Sequence, residues 1–280
     1  MFNNDQQGER GSAAQGNTLV LDSGVGGLSI CRSVLELCPQ LHIRYVADDA
    51  AFPYGTKDDC FLIERLSELI AQCHERFSFD LVILACNTAS TLVLPSLRER
   101  FDVPFVGVVP AIKPAAIQTK TKAIGLLATP GTVSREYTDA LIRDFASDCS
   151  VLKVGSNALV EQAERLLFGE GVDQKALRGA LDPFMDSFET IDTIVLGCTH
   201  FPFLQEHLAL IMPRVDWVDS GNAIARRVQS LLKDALKHSG NEAGSAEKHQ
   251  VLFTGVAPES SHFRSVLDDI GMSDAEISRL

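Results

Sequence analysis

The chain has 280 residues, enough for one large or two modest domains, and 45% of them are hydrophobic, which is ordinary for a globular protein. Its formal net charge of −12 argues against a surface that binds nucleic acid or an anionic membrane. No run reaches the roughly 18 apolar residues of a membrane span, and the N-terminus lacks the pattern of a signal peptide. The sequence therefore predicts a cytoplasmic protein.

The strand-like runs come in a regular order along the chain. Residues 1–16 are polar and are interpreted as a flexible N-terminal extension. The predicted strands that follow are Thr18–Leu21, His42–Ala47, the run before Cys86, Phe105–Val109, Ala123–Leu127, Val151–Val154, the run before Cys198, Asp216–Val218 and Val251–Thr254.

Amphipathic, helix-like stretches separate these strands. They are a helix from Leu28 that Pro39 stops, then residues 58–77, a helix through Leu97, and residues 133–145, 157–168, 173–189, 203–212, 221–237 and 258–270. The polar segment 237–250 is interpreted as a loop. Strands that alternate with helices predict parallel sheets with right-handed crossovers.

The two halves of this pattern resemble each other. In each half a strand leads into a Gly-containing turn and then a helix, and the two turns are Asp22–Gly27 and Thr129–Thr132. Further along each half, another strand ends in a Cys. We therefore predict two pseudo-symmetric doubly wound α/β domains with parallel sheets and an interdomain active-site cleft. The first domain is predicted to comprise residues 17–110 and 221–280, and the second residues 111–220.

The most informative feature is a pair of cysteines in similar settings. Cys86 lies in LVILACNTAS and Cys198 in TIVLGCTHFP, each after a buried-strand pattern and before a helix start. Ligands bind at this edge of open α/β sheets, and a helix start can lower the pKa of a thiol. A single Cys in this setting would be interpreted as a buried core residue. Two Cys in matched settings are better interpreted as an acid and a base that act on opposite faces of one small molecule.

The other five of the seven cysteines have no such setting. The count is odd and CxxC is absent, which disfavours a disulfide scaffold, a structural zinc site and a thiol-redox protein. We interpret these five as small buried hydrophobes or incidental thiols.

The loop Asp22–Gly27 does not fit the GxGxxG pattern of dinucleotide-binding proteins. It predicts a tight turn whose N–H groups and Ser23 hydroxyl hold a carboxylate. Asp22 is either a cap or a carboxylate that handles a proton near one thiol. Thr129–Thr132 predicts an N-cap with a second role at the rim of the cleft.

Three further polar residues are open to two interpretations. His200 lies two residues after Cys198 and could transfer a proton near neutral pH, although an isolated His is more often structural. Glu161 by itself is an exposed helix residue, and Tyr54 by itself is a hydrogen-bond donor in a turn.

Taken together, the motifs resemble those of the glutamate racemases in the aspartate/glutamate racemase superfamily. The matching segments cover residues 17–280 in order and are DSGVGG from Asp22, PYG from Pro53, ACNTAS from Ala85, LVE from Leu159 and GCTHFP from Gly197. The resemblance implies interconversion of L- and D-glutamate without cofactor or metal, which supplies D-glutamate for peptidoglycan.

The resemblance also implies roles for individual residues. Cys86 would take the proton from D-glutamate and Cys198 the proton from L-glutamate, while Asp22, Glu161 and His200 would assist. The implied substrate contacts are Asp22, Ser23, Tyr54, Gly55, Asn87, Thr88, Thr199 and His200. UDP-N-acetylmuramoyl-L-alanine is a possible activator, because some relatives with N-terminal extensions respond to it.

Two alternatives remain at this stage: a racemase of the same superfamily that acts on aspartate or another amino acid, and a periplasmic-type amino-acid-binding protein. The latter would need a signal sequence and would have no use for paired thiols. The extension and a Gly/Ser-containing insertion at 239–246 depart from the family pattern. The sequence leaves monomer and homodimer open.

Overall fold

A computed structural model of the chain describes residues 16–186, 190–236 and 248–280, without the side chains of residues 233–236. Residues 1–15 of the predicted extension and the predicted insertion at 239–246 lie outside the described residues. Gly16 is described, and it is buried, with its carbonyl accepting a hydrogen bond from the His42 N–H. No helix in the described ranges is long and apolar enough to cross a membrane.

The described residues contain ten strands in two sheets. The strands are β1 (Asn17–Asp22), β2 (His42–Ala47), β3 (Leu81–Leu84), β4 (Phe105–Gly107), β5 (Ala123–Ala128), β6 (Ser150–Gly155), β7 (Thr193–Gly197), β8 (Asp216–Val218), β9 (Gln250–Phe253) and β10 (Glu276–Arg279). The first sheet has the order β10-β9-β2-β1-β3-β4 and the second the order β6-β5-β7-β8. Every pairing is parallel.

Helices connect the strands. They are α1 (Leu28–Leu37), α2 (Asp59–Arg76), α3 (Asn87–Arg100), α4 (Ile112–Gln118), α5 (Pro130–Val133), α6 (Glu136–Phe145), α7 (Ala158–Leu167), α8 (Gln174–Met185), α9 (Gln205–Ile211), α10 (Gly221–Leu236) and α11 (Ser261–Asp269).

The strand order shows the internal repeat directly. The order β2-β1-β3-β4 in the first sheet is matched by β6-β5-β7-β8 in the second, so β1 corresponds to β5 and β3 to β7. The predicted fold class, two doubly wound α/β units with parallel sheets, is thereby confirmed. The strand β9 lies beside β2 in the first sheet. The exact division of the chain at 110/111 and 220/221 stays a prediction.

Both faces of the first sheet are covered, which explains why β1 is almost entirely buried. Val20 packs with Val34 of α1 and Val228 of α10 on one face. Leu19 and Leu21 pack on the other face in the core that also contains residues of α2 and α3. Burial of both faces leaves the strand ends as the place where polar groups can meet.

The structure differs from the predicted elements at a few points. The predicted helix 133–145 is two helices, α5 and α6, because Arg135 between them is extended, with ψ of 136°. The strand β10 and the helix α4 were not predicted. β10 is short and mostly exposed, and α4 is a seven-residue helix with a proline, so neither carries a clear periodic signal.

Candidate active site

The predicted catalytic residues lie at the carboxyl ends of β1, β3 and β7. Asp22 is the last residue of β1, Cys86 directly precedes α3, and Cys198 directly follows β7. The two sheets meet at these ends. The Ser29 hydroxyl donates to the Thr199 carbonyl over 2.7 Å, and the Thr199 hydroxyl donates to Asp22 Oδ2 over 3.4 Å. The structure thus brings both thiols and Asp22 to one cleft between the sheets.

Asp22 is fully buried beneath the glycine loop. Its Oδ1 accepts from the Ser23 N–H and its Oδ2 from the Gly27 N–H, each over 2.7 Å. Burial raises the pKa of Asp22 to about 6, although the charge of His200 and the two N–H groups oppose the shift. A carboxyl group with this pKa can change its protonation state near neutral pH.

The glycine loop differs here from the prediction that its N–H groups hold a substrate carboxylate. The N–H groups of Ser23 and Gly27 bind Asp22, and the N–H of Val25 donates to Glu164 Oε1 over 2.8 Å. The physical reason is that a buried carboxylate needs fixed donors, and the loop supplies them to the protein's own acids.

Cys86 also departs from expectation. It precedes the 14-residue helix α3, and the Ala89 N–H lowers its pKa as a helix start should. Burial, however, raises the pKa of the Cys86 thiol well above its usual range, and the nearby Asp22 and Cys198 raise it further. Cys86 is therefore held as a thiol, the form that can donate a proton.

Cys198 has a different neighbour. Its Sγ lies 3.7 Å from Nδ1 of His200, and Nε2 of His200 lies 2.7 Å from Oε1 of Glu164. Burial alone would lower the pKa of His200, but the Cys198 sulfur and the Glu164 carboxylate outweigh it and hold that pKa well above its usual value. His200 is therefore a buried cation that can stabilise negative charge on Cys198.

The carboxylate that contacts His200 is Glu164, whereas Glu161, which the family resemblance implied as an assisting group, is exposed. A catalytic role for Glu161 stays a prediction. Glu161 and Arg165, four residues apart on α7, are exposed, whereas Glu164 follows buried Val160 by four residues. Residues four apart share one face of a helix, so Glu164 faces the cleft and Glu161 faces solvent. This helical spacing was the signal that could have identified Glu164 from the sequence.

Two glycines allow the loop to lie directly on this pair. A Cβ at Gly26 would overlap the His200 ring, and a Cβ at Gly24 would overlap the Glu164 carboxylate. A side chain at either position would push His200 or Glu164 away from Cys198. Gly24 and Gly26 therefore allow the DSGVGG loop to pack closely against Glu164 and His200.

The predicted substrate contacts Asn87, Thr88 and Thr199 all lie in the cleft and are buried. The Nδ2 of Asn87 has no hydrogen-bond partner. The hydroxyl of Thr88 lies 2.9 Å from that of Thr129, which caps α5 in the other half. A buried donor without a partner is costly, so the Asn87 amide is available to donate a hydrogen bond to an acceptor in the cleft.

Tyr54 and Gly55, two of the predicted substrate contacts, have different surroundings. The Tyr54 hydroxyl donates to Asp48 Oδ2 over 2.8 Å, so its side chain is bound within the protein. Gly55 lies against Thr129 and the Asn157 carboxamide of the other half, and Asn157 Oδ1 is buried without a partner. Sequence analysis did not identify Asn157, which carries no motif of its own.

The cavity beside Cys198 is small. Asn87, Thr199, Ser29 and Ser220 contribute to its lining, and its volume is about 10 Å³, room for about one water molecule. Cys86 does not line this cavity, so it is not the space between the two thiols. Cys86 and Cys198 are themselves buried, at 7% and 6% exposure, so the cleft is closed over both thiols in this structure.

This arrangement defines a class of protein: a two-unit α/β protein that places two thiols, one beside a carboxyl group and the other beside an imidazole, in one closed cleft. The family model for Asp/Glu/hydantoin racemases matches residues 20–228. The chain belongs to this family.

Individual relatives agree with that assignment. The chain is 48% identical over 259 residues to a glutamate racemase of Escherichia coli, covering 92% of this chain and 90% of the relative. It superimposes with a TM-score of 0.86 and 45% identity on the crystal structure of E. coli glutamate racemase in complex with L-glutamate and the activator UDP-MurNAc-Ala, covering 95% and 98% of the two chains. A glutamate racemase from Thermus thermophilus, in complex with β-chloro-D-alanine, matches with a TM-score of 0.73 and 28% identity over 95% and 96%.

Proposed function

We propose that this chain interconverts L-glutamate and D-glutamate with Cys86 and Cys198 as the two acid–base groups. The chain is an amino-acid racemase, an isomerase, and glutamate is its substrate, as its family and its 48% identical relative indicate. Its product D-glutamate serves peptidoglycan synthesis and so cell shape. The observation that supports the two-thiol mechanism is the convergence of β3 and β7 on Asp22, with Cys198 close enough to raise the pKa of Cys86.

The geometry supports a defined proton path from L- to D-glutamate. The Cys198 sulfur, as thiolate beside cationic His200, takes the proton from Cα, and the Cys86 thiol gives a proton to the opposite face. The charge that develops on the substrate carboxylate would be stabilised by donors fixed in the cleft, for which Asn87, Thr88 and Thr199 are placed. In the reverse direction Cys86 must first lose its proton, and Asp22 is the adjacent acceptor.

The activity is tested by circular dichroism of L-glutamate and L-aspartate incubated separately with purified protein. Glutamate should lose its optical rotation without added pyridoxal phosphate or metal, and aspartate should not. Treatment with chelator and hydroxylamine should leave the rate unchanged. Racemisation of aspartate alone would overturn the substrate assignment, and a requirement for pyridoxal phosphate or zinc would overturn the cofactor-free mechanism.

We also propose that UDP-N-acetylmuramoyl-L-alanine activates this chain, because the E. coli relative is described with that activator. A pocket of about 580 Å³ lies where the chain crosses between the halves, and its wall includes Val109, Phe145, Ser220 and the cations Lys113 and Arg226. The cations suit a diphosphate and the apolar wall suits a sugar ring. The nucleotide should raise the rate, and the double change Lys113→Ala and Arg226→Ala should weaken that response. No response at saturation would reject the proposal.

The cytoplasm is the compartment that we propose for this enzyme. Cys86 and Cys198, which the proposed reaction needs as thiols, form no disulfide. A reducing compartment keeps such thiols available. Fractionation of the producing cell tests this, and recovery of the activity from the periplasm would contradict it.

A further inference from the structure

The two halves also meet at an ion pair that lies outside the thiol cluster. Arg135 directly precedes α6 in the second half, and Asp59 is the first residue of α2 in the first half. Arg135 Nη1 donates to Asp59 Oδ2 and Nη2 donates to Oδ1, each over 2.6 Å. The hydrogen bond from Arg135 lowers the pKa of Asp59 below its usual value. A bidentate pair of this kind fixes orientation as well as distance.

The pair joins the two segments that form the rim of the cleft. Arg135 ends the segment 129–135, and Asp59 ends the segment 54–59. Closer to the thiols than the ion pair, the two segments are in contact. A Cβ at Gly131 of one segment would lie 3.6 Å from the Gly55 carbonyl of the other, and 3.4 Å from the nearby Thr88 side chain. Thr88 and Gly55 are expected to contact the substrate. The ion pair therefore sits just outside the substrate contacts.

Substrate can enter only if this rim parts. Cys86 and Cys198 are both buried, so a substrate that must contact both thiols requires the cleft to open and close in each turnover. The chain crosses between the halves near Val109 and Ser220, where the Ser220 hydroxyl donates to the Val109 carbonyl over 2.6 Å. These crossings cannot separate, because the backbone is continuous there. The two halves must therefore rotate about these crossings as a hinge when the cleft opens. That rotation moves the rim segments that carry Asp59 and Arg135 apart.

We propose that Asp59 and Arg135 are positioning residues that clasp the cleft shut over the substrate. The clasp forms on closure, brings Thr129 against Thr88, and breaks when product leaves. Its kinetic consequence rests on the proposed racemase function, whereas its effect on closure does not. An exposed ion pair contributes up to about 1 kcal/mol, which corresponds to about a two- to fivefold change in the open population.

Thiol alkylation tests closure without any need for activity. Iodoacetamide labelling, mapped by mass spectrometry, would follow Cys86 and Cys198 in the cleft, with partly exposed Cys149 as reference and buried Cys73 as the reporter of unfolding. Arg135→Ala should speed labelling of both cleft thiols by about two- to fivefold relative to Cys149, and Cys73 should stay protected. High salt should speed labelling of the unaltered protein and leave the variant unchanged.

A matched control separates a clasp from ordinary surface stabilisation. Arg143 pairs with Glu136 over 2.7 Å, and both residues lie on α6, within one half. Arg143→Ala removes an ion pair without touching the rim, so labelling of the cleft thiols should not change. Equal acceleration in the Arg135 and Arg143 variants, or none in either, would overturn the clasp.

Steady-state kinetics then test the consequence for catalysis. Arg135→Ala should raise KM for both enantiomers by about two- to fivefold with kcat unchanged or higher, and Arg143→Ala should do neither. Combining Asp59→Arg with Arg135→Asp should restore KM towards the original value. An unchanged KM, or a loss of kcat that the exchange of charges does not rescue, would contradict the clasp. Inactivity of the unaltered protein towards glutamate would instead contradict the proposed function, and the labelling result would stand.

Discussion

Cys86 and Cys198 occupy equivalent positions in the two halves but have different surroundings. The strands β3 and β7 hold the same place in their sheets. After Cys86 the 14-residue helix α3 begins at once, and the adjacent acid–base group is Asp22. After Cys198 the chain makes a 3-10 turn at Phe201–Leu204, and the adjacent group is His200. One thiol therefore faces a carboxyl group and the other an imidazole.

The difference shows how an internal repeat can support an asymmetric reaction. The repeated strands place both sulfur atoms at one cleft, and the loops that follow supply unlike helpers. Burial and Asp22 raise the pKa of Cys86 and favour its protonated form, whereas the neighbour of Cys198 is His200, whose own pKa is raised. The two cleft thiols therefore have unlike acid–base neighbours, as the proposed asymmetric reaction requires.

Removal of either thiol should have the largest effect. Cys86→Ala and Cys198→Ala should each lower racemisation by about 10²- to 10⁴-fold, because each deletes a general acid–base group. The losses should not add in the double variant, since the two thiols act as a unit. Cys73→Ala is the matched control, a buried thiol of the first half that should leave the rate unchanged. A rate that is unchanged in either Cys86→Ala or Cys198→Ala would contradict the assignment of that thiol as an acid–base group.

Solvent isotope exchange tests the division of labour between the thiols. In D₂O the thiol that reprotonates has already exchanged with solvent, so early product should carry deuterium while remaining substrate stays protiated. Mass spectrometry in both directions measures this. Equal deuterium in substrate and product from the start would indicate a single base.

Asp22 should have the next largest effect, because it serves Cys86. Asp22→Asn removes the proton acceptor and should slow the reaction by about 10²-fold. In the unaltered enzyme the rate should fall as the pH drops through about 6, where Asp22 becomes protonated. That acid limb should disappear in the variant. An acid limb that persists unchanged would assign it to another group.

The same variant should show a pH-dependent change in stability. The folded-state pKa of Asp22, about 6, lies above its usual value of 3.8, so the folded form binds the extra proton. The stability contributed by this group is present at low pH and is lost as the pH rises through 6. The free energy of unfolding of Asp22→Asn, relative to that of the unaltered protein, should therefore rise by about 1 to 2 kcal/mol from about pH 5 to about pH 7.5. Urea unfolding at the two pH values measures this difference.

Glu164 should have a smaller effect, confined to the Cys198 side. Glu164→Gln weakens a hydrogen bond to a charged group, which corresponds to roughly a tenfold loss of rate. The pKa of His200 should fall, because one of the groups that raise it is removed. NMR titration of His200 measures this shift directly. Glu161→Gln, an exposed change on the same helix, is the control, and an equal loss in both variants would reject the assignment of Glu164.

The sequence was sufficient for the fold class and for the main residues of the cleft, and the reason is local. Buried strands that end in Cys86 and Cys198 are visible as apolar runs, and parallel strands bring their ends together. Glu164 was missed although it follows apolar Val160 by four residues on α7, because the LVE segment directed attention to Glu161. The raised pKa of Cys86 was missed as well, because burial at that strand end outweighs the helix start that follows it.

Tyr54 offers the smallest and most specific test on the Cys86 side. Its hydroxyl is bound to Asp48, which also accepts from Arg65 and Thr254, so the ring is part of the scaffold beneath the cleft. Tyr54→Phe should lower the free energy of unfolding by about 1 kcal/mol and change kcat/KM by no more than a few-fold, because the lost hydrogen bond lies within the protein. Urea unfolding and steady-state kinetics on one preparation would measure both. A large rise in KM with unchanged stability would mean that the Tyr54 hydroxyl binds substrate. The hydroxyl would then have to leave Asp48, to which it donates in this structure, when substrate binds.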